Sequence, residues 1–255
     1  MKITDRTTER CEIAVVPDAR ALAEAGAREF AQAAGDAISD RGVFRVALAG
    51  GSTPRAMYRR LTRSPYRSSV RWERVRFFWG DERCVPPDSE RSNYRMARET
   101  LLDPLGIASR QVFRMKGEEE PARAARAYEG VLRKEFRGRP ARLDLILLGL
   151  GPDGHLASLF PGTGALAESR HLVAANSVAK FSEFRLTMTY RAINAARRIV
   201  FLVSGEEKAA PLTTILRKRH GWRELPASRV SPRRGTMLWL LDGAAASRLQ
   251  EPRRT

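Results

Sequence analysis

Three glycine-containing segments carry the residues best suited to chemistry, and the first is Gly50-Gly51-Ser52-Thr53-Pro54. Its glycines allow a tight turn, and Thr53 is positioned to cap a helix that begins at Pro54. Free amide groups at that helix end, with the hydroxyls of Ser52 and Thr53, would form a phosphate cradle. The segment is neither a Walker loop nor G-x-G-x-x-G, so it does not indicate a nucleoside triphosphate or a dinucleotide. A capped helix after a turn would need the same residues, and the spacing leaves both interpretations open.

The second segment, Gly80-Asp81-Glu82-Arg83-Cys84-Val85-Pro86-Pro87, follows an apolar strand directly. Three consecutive charged residues are costly to bury unless each finds a partner. The spacing alone therefore favours a solvated loop over a binding site.

The third segment, Gly149-Leu150-Gly151-Pro152-Asp153-Gly154-His155, contains the histidine in the most suggestive setting; the other two are His171 and His220. An imidazole titrates near neutrality, and its neutral form can accept a proton from water. A lone histidine is often structural, so both roles stay open. No further ligand at metal spacing accompanies it and no G-x-S-x-G elbow occurs, so we expect neither a zinc site nor a serine hydrolase.

Alternating strands and helices must position these segments. Strands separated by helices predict one α/β domain over residues 1–255, with a mostly parallel sheet covered on both faces. In such sheets ligands bind beyond the carboxyl ends of the strands, where all three segments fall. The predicted strands are Glu12–Val16, Phe44–Ala49, Val75–Trp79, Leu143–Leu148, Phe184–Thr189, Ile199–Val203 and Met237–Leu241. The predicted helices run from Asp18 to Asp40, Pro54 to Leu61, Ser92 to Leu102, Ala122 to Phe136 and Glu206 to Arg217.

The composition limits the function classes. The chain has 255 residues and a net charge of +17, mostly from arginines spread along its length. Dispersed arginine is a weak sign of nucleic-acid binding, which we consider unlikely as the main function, but the charge would attract a small anion. Cys11 and Cys84 form no disulfide or zinc pattern. The start lacks a signal-peptide core and the apolar runs are too short to span a bilayer, which predicts a cytoplasmic protein without membrane contact.

At these segments the sequence resembles the 6-phosphogluconolactonases. GPDGHLASLFPG is the specific motif, whereas the related glucosamine-6-phosphate deaminases share GGSTP and lack the SLFP stretch seen at Ser158–Pro161. The matching stretches are Ala49–Tyr58, Trp79–Leu102, Leu145–Thr163, Arg185–Leu212 and Leu225–Asp242.

The resemblance implies a Rossmann-like α/β fold of the deaminase/ribose-5-phosphate isomerase type. It also implies hydrolysis of 6-phospho-D-glucono-1,5-lactone in the oxidative pentose phosphate pathway. Neither a metal nor an organic cofactor is implied, and the partner is the phosphorylated sugar lactone. We expect a monomer or a small homo-oligomer. The rival interpretations are an amino-sugar phosphate deaminase or isomerase and a non-catalytic sugar-phosphate or nucleic-acid binding protein.

The resemblance also assigns site residues. It makes His155 the catalytic base supported by Asp153, and it offers Arg83 or a loop amide as the oxyanion donor. The clearest departure from the family is Phe181–Phe184, where a proline-rich stretch is common. We interpret Cys84 as a small buried filler rather than a nucleophile. The substrate-binding residues implied by the family are Gly51, Ser52 and Thr53 in the phosphate loop, Arg185 and Lys208 facing the phosphate, and Asp81 near the sugar ring with Arg83.

Overall fold

A computed structural model describes residues 11–249, so both ends of the predicted 1–255 domain lie outside the described residues. The strands are β1 (Cys11–Val16), β2 (Phe44–Leu48), β3 (Val75–Trp79), β4 (Asp81–Arg83), β5 (Leu145–Leu148), β6 (Val173–Val178), β7 (Glu183–Met188), β8 (Arg198–Val203) and β9 (Thr236–Asp242). The helices are α1 (Ala19–Arg41), α2 (Ser52–Leu61), α3 (Tyr66–Ser69), α4 (Asn93–Ala97), α5 (Pro121–Glu135), α6 (Tyr190–Ile193) and α7 (Ala209–Leu216).

Six strands form one parallel sheet in the order β1-β9-β8-β5-β2-β3. All four residues of β5 and the last five of β8 are buried. Because successive side chains of a strand point to opposite faces, this pattern requires cover on both sides of the sheet. The predicted fold class, a mostly parallel α/β sheet, is therefore confirmed. None of the helices within residues 11–249 is long and apolar enough to cross a membrane.

Local signals set the ends of the long helix α1. The Asp18 side chain accepts a hydrogen bond from the amide of Ala21 at 2.8 Å, which caps the first turn. Gly42 ends the helix in the left-handed conformation and donates to the carbonyl of Ile38. Phe30 on the buried face packs edge-on against Phe44 of β2, with the ring centroids 5.2 Å apart. The predicted helix from Asp18 to Asp40 is confirmed.

The strand order creates a crevice between β2 and β5. From β2 the chain proceeds to its neighbour β3, and after β5 it proceeds in the other direction through β8 and β9. The connections that leave β2 and β5 therefore diverge, and this opens a space at the carboxyl ends of these two strands. The first and third segments of the sequence analysis follow β2 and β5.

A second, three-stranded antiparallel sheet in the order β4-β7-β6 was not predicted as a unit. Only the strand near Phe184–Thr189 was predicted, and it is β7 in the structure. The interpretation of the segment from Gly80 to Pro87 as a solvated loop is wrong. Asp81 and Glu82 lie in β4 and are only 7% and 2% exposed. Ser158 and Asn93 donate hydrogen bonds to Asp81, and Ser92 and the amide of Asn93 donate to Glu82, which offsets the cost of burying the two carboxylates.

Several predicted element boundaries also need correction. Helix α2 begins at Ser52, and its N-cap is Gly51, so the expected cap by Thr53 is wrong. The predicted helix from Ser92 to Leu102 consists of α4 followed by a π-helical turn at Arg98–Leu102. The predicted helix from Glu206 to Arg217 starts with a 3₁₀ turn that ends at Lys208, and α7 follows it.

A buried tyrosine ties α2 to the end of β2. The Tyr58 hydroxyl donates to the carbonyl of Ala49 at 2.9 Å and accepts from the amide of the same residue at 3.0 Å. Burial raises the pKa of Tyr58, so the hydroxyl stays protonated. Both backbone groups belong to the residue just before Gly50, and Tyr58 therefore helps to fix the start of the glycine-rich segment.

We predict that Tyr58→Phe lowers the free energy of unfolding by about 1–3 kcal/mol, since it leaves two buried backbone groups at Ala49 without a partner. Urea denaturation measures this loss. The matched control is Tyr94→Phe, whose hydroxyl makes no hydrogen bond within residues 11–249 and which should cost less than about 0.5 kcal/mol. Equal losses in the two variants would show that the hydroxyl of Tyr58 contributes nothing specific.

Candidate active site

One cavity of about 270 Å³ lies at the carboxyl ends of β2, β3, β5 and β8. All three segments of the sequence analysis contribute to its wall, as does the 3₁₀ turn after β8. Asp153 is the predicted site residue that does not line it, and this carboxylate instead contacts a lining residue. The predicted residues that line the cavity are Gly51, Ser52, Thr53, Asp81, Arg83, His155, Arg185 and Lys208.

The imidazole of His155 is held on two sides. Its Nδ1 lies 2.5 Å from Oδ1 of Asp153, and its ring stacks on Phe160 with the centroids 4.1 Å apart. The side chain is 25% exposed, so the ring is accessible from the cavity. With Nδ1 facing a carboxylate, Nε2 is the nitrogen left for a proton-transfer partner.

Asp153 stays ionised. Burial acts to raise the pKa of Asp153, but the hydrogen bond and charge of His155, together with the Lys180 ammonium, lower it below its usual value. Lys180 reaches the second carboxylate oxygen, with Nζ 3.3 Å from Oδ2. The carboxylate therefore bridges one imidazole and one ammonium group.

The glycine at position 151 makes room for the imidazole. A Cβ built on Gly151 would overlap Nδ1 and Cε1 of His155. The amide of Gly151 also donates to the carbonyl of His155 at 2.8 Å, which closes the loop that carries the ring. Any side chain at this position would displace the imidazole.

The opposite part of the cavity is suited to an anion. Gly51 has φ +102°, a conformation that favours glycine, and it provides no side-chain cap for α2. The first amides of that helix therefore remain available beside the exposed Ser52 and the half-buried Thr53. Lys208 projects into the same cavity with its side chain 19% exposed, and its Nζ lies 3.5 Å from Oε1 of Glu207.

Two arginines face each other across the small sheet. Arg83 of β4 and Arg185 of β7 are directly opposite in the antiparallel register, so both guanidinium groups lie on one face. Burial and the charge of Arg83 lower the pKa of Arg185. The carboxylate of Glu183 lies 2.5 Å from Arg185 and holds that guanidinium in place. The Nη1 of Arg83 donates to the carbonyl of Arg91, whereas its buried Nε has no hydrogen-bond partner among the described residues.

Cys84 is not a plausible nucleophile. Burial is the main reason that its pKa rises to about 11, so the thiol is protonated at neutral pH. The side chain is half-buried, in agreement with the interpretation as a packing residue. Within residues 11–249 no group of His, Cys, Asp and Glu is arranged to hold a metal ion.

Comparison with known proteins gives the relationship. Residues 17–239 match the sequence model of the family described as glucosamine-6-phosphate isomerases/6-phosphogluconolactonase. The chain belongs to this family.

Two curated members of the family named 6-phosphogluconolactonase are similar over most of their length. The protein from Synechocystis sp. is 40% identical over 218 residues, which are 84% of this chain and 88% of that one. The protein from Mycobacterium tuberculosis is 37% identical over 248 residues, or 93% and 98% of the two chains.

Solved structures of family members agree with the fold. The structure of 6-phosphogluconolactonase from Trypanosoma brucei is 31% identical, with a TM-score of 0.81, and the match covers 93% of this chain and 98% of that one. A monomeric glucosamine-6-phosphate deaminase is 23% identical with a TM-score of 0.76 over 92% and 99% of the chains. The latter likeness concerns the fold alone.

Three polar residues at the cavity were missed by the sequence analysis. Ser158 donates to Oδ2 of Asp81 at 2.7 Å, and Asn93 donates to Oδ1 of the same carboxylate at 3.3 Å. Glu183 provides the ion pair to Arg185 described above. Ser158 lies in the SLFP stretch that marks the lactonase branch of the family, and this motif was the available signal. Asn93 and Glu183 stand in no pattern that predicts a contact with a residue so distant in sequence.

We predict that Gly151→Ala moves the imidazole of His155 away from Asp153, to more than about 3.5 Å between Nδ1 and Oδ1. A crystal structure of the variant measures this distance. Gly149→Ala is the matched control, because a Cβ there meets nothing within 4 Å. An unmoved ring in Gly151→Ala would contradict the steric argument.

Proposed function

We propose that this protein hydrolyses 6-phospho-D-glucono-1,5-lactone to 6-phospho-D-gluconate, the lactonase step of the oxidative pentose phosphate pathway, with His155 as the general base. The observation that carries the proposal is a single cavity with an accessible imidazole on one side and, on the other, free helix amides beside the cationic side chains of Arg83, Arg185 and Lys208. Such a cavity suits a substrate whose phosphate is remote from its reacting carbonyl. The family relationship supports the same substrate class.

The phosphate acts as a handle in this proposal. It accepts hydrogen bonds from Ser52, Thr53 and the first amides of α2, and ion pairs from Arg185 and Lys208. Charge-assisted bonds of this kind are among the strongest in proteins. Binding energy from this remote group fixes the orientation of C1 toward His155.

The chemical step follows from the position of Nε2. Neutral His155 removes one proton from water while the water oxygen bonds to C1, and the carbonyl π-electrons move to oxygen. Arg83, which lines the cavity, donates to the resulting oxyanion. The bond between C1 and the ring oxygen then breaks, and the protonated imidazole returns its proton to that oxygen. The product acid loses a proton to solvent.

Asp153 contributes through His155. It fixes the imidazole with Nδ1 toward the carboxylate and stabilises the imidazolium that exists between the two proton transfers. The ring stacking with Phe160 limits rotation of the imidazole. No metal or organic cofactor takes part in this mechanism.

We predict that His155→Ala lowers kcat about 10²- to 10⁴-fold with little change in KM, because it removes a transition-state proton transfer. Acid release from freshly prepared lactone, corrected for spontaneous opening, measures the rate. His171→Ala is the matched control, since that imidazole is 56% exposed and does not line the cavity.

Two outcomes would contradict the proposal. One is full lactonase activity in His155→Ala. The other is release of ammonia from glucosamine 6-phosphate by the wild-type protein without lactone turnover, which would indicate a deaminase.

We predict that Lys208→Ala lowers kcat/KM for the phosphorylated lactone about 10- to 100-fold, as expected for loss of one charged contact to phosphate. For the unphosphorylated lactone the change should stay below about twofold. Steady-state kinetics on both substrates measures the ratio. Lys116→Ala, an exposed lysine outside the cavity, should leave both rates unchanged. Equal losses on both lactones in Lys208→Ala would remove Lys208 from the phosphate site.

A further inference from the structure

A second basic cavity lies at the opposite edge of the parallel sheet, where β2, β5, β8 and β9 begin. Its volume is about 1000 Å³, and Glu135 is the single carboxylate in its wall. We call it the arginine groove. The arginines that line it are Arg41, Arg45, Arg137, Arg139, Arg142, Arg197, Arg233 and Arg234.

Carboxylates neutralise only part of this charge. Nε of Arg45 lies 2.8 Å from Glu135, and the buried Asp144 receives Arg41 at 3.0 Å and Arg197 at 3.4 Å. Within residues 11–249, four guanidinium groups of the groove have no carboxylate at ion-pair distance, and these belong to Arg137, Arg139, Arg142 and Arg234.

The guanidinium groups of the groove lie close enough to repel one another. Burial and the like charges of Arg197, Arg234 and Arg41 lower the pKa of Arg142. The Arg142 guanidinium donates to the backbone carbonyl of Arg234, which keeps it in the groove. The Nε of Arg197 is buried and lacks a hydrogen bond. A bound anion would neutralise the positive charge that the carboxylates leave.

We propose that the arginine groove binds inorganic polyphosphate, a linear chain of phosphate groups. Guanidinium groups bind phosphate oxygens through two parallel hydrogen bonds, and several of them in one groove suit several linked phosphates. The one aromatic ring in the wall, that of Phe136, is covered by the Arg45 guanidinium 5.1 Å from its centroid. Because a guanidinium already lies over the one aromatic ring of the wall, the groove favours phosphates without bases.

Calorimetric titration of the full-length protein with inorganic tripolyphosphate, at about 0.15 M salt, tests the site. We expect Arg139→Gln/Arg142→Gln/Arg234→Gln to raise Kd at least about tenfold. The control Arg20→Gln/Arg59→Gln/Arg63→Gln removes the same charge from exposed arginines outside the groove and should change Kd less than about twofold.

Three results would overturn the site. Equal weakening in both triple variants would indicate attraction by net charge alone. Loss of tripolyphosphate binding in Lys208→Ala would assign the anion to the catalytic cavity. Tighter binding of an oligonucleotide with the same number of phosphates would show that bases are recognised.

The turn between β6 and β7 lies beside Asp153 and Phe160, close to His155. Besides the contact between Lys180 and Asp153, the ring of Phe181 lies edge-on to Phe160, 5.6 Å between centroids. The guanidinium of Arg185 lies 5.1 Å from the centroid of the Phe181 ring. The turn that departs from the family pattern thus contacts Asp153, Arg185 and the phenyl ring that stacks on His155.

We infer that Lys180 is a positioning residue that lowers the proton affinity of the Asp153–His155 pair, and this rests on the proposed function. The ammonium neutralises part of the carboxylate charge that would otherwise favour the imidazolium. It thereby extends toward lower pH the range in which His155 is a neutral base. The other charged groups that face His155 across the cavity are Asp81, Arg83, Arg185, Glu207 and Lys208.

The pH profile of kcat/KM tests this role. In Lys180→Met the acid limb should move to higher pH by about half a unit or more, and Lys180→Arg should restore the wild-type limb. A purely structural role would lower the rate at every pH and leave the limb in place, which would overturn the inference. A wild-type rate that does not depend on His155 would instead overturn the proposed function, so the two failures are distinguishable.

Discussion

The geometry of the catalytic cavity depends on two like charges that the fold holds opposite each other. Arg83 and Arg185 face the same side of a narrow antiparallel sheet, an arrangement that is unfavourable unless anions lie nearby. Glu183 neutralises one of them, and the exposed Arg91 pairs with the other oxygen of that carboxylate. In the proposed function, the remaining excess of positive charge attracts the phosphorylated substrate. The small sheet therefore places two guanidinium groups side by side at the cavity, which the parallel sheet alone does not do.

The parallel sheet supplies the rest of the site through its connections. The diverging loops after β2 and β5 leave space for a ligand, and each loop brings a different function to that space. The loop after β2 offers unoccupied helix amides at Gly51, whereas the loop after β5 carries the pair of Asp153 and His155. In the proposed mechanism, the distance from the phosphate-binding amides of α2 to His155 is thus set by the spacing of the adjacent strands β2 and β5. No single residue determines this spacing.

The part of this architecture that could be predicted from the sequence is the part encoded locally. Alternating apolar strands and helices predicted the main sheet, and short motifs located His155 and the glycine-rich segment, whereas Lys208 came from the family resemblance. The small sheet was out of reach because β4 has three residues, all charged, and pairs with β7 about a hundred residues later. Burial of Glu82 could not be anticipated either. Its carboxylate is satisfied by the amides of Asn93 and Tyr94, a contact that exists only in the folded chain.

Helix α2 has no side-chain cap, so the predicted capping role of Thr53 is wrong. Helices α1, α4 and α5 begin with side chains that accept from their first amides, namely Asp18, Ser92 and Glu120. Such a cap stabilises a protein by about 1 kcal/mol, but it occupies the donors that an anion would need. The N-cap of helix α2 is instead Gly51, whose positive φ bends the backbone and whose lack of a side chain leaves the donors free. A helix that gives up its cap at the edge of a cationic cavity is less stable alone, and binding of an anion would restore the stabilisation that the cap would have provided.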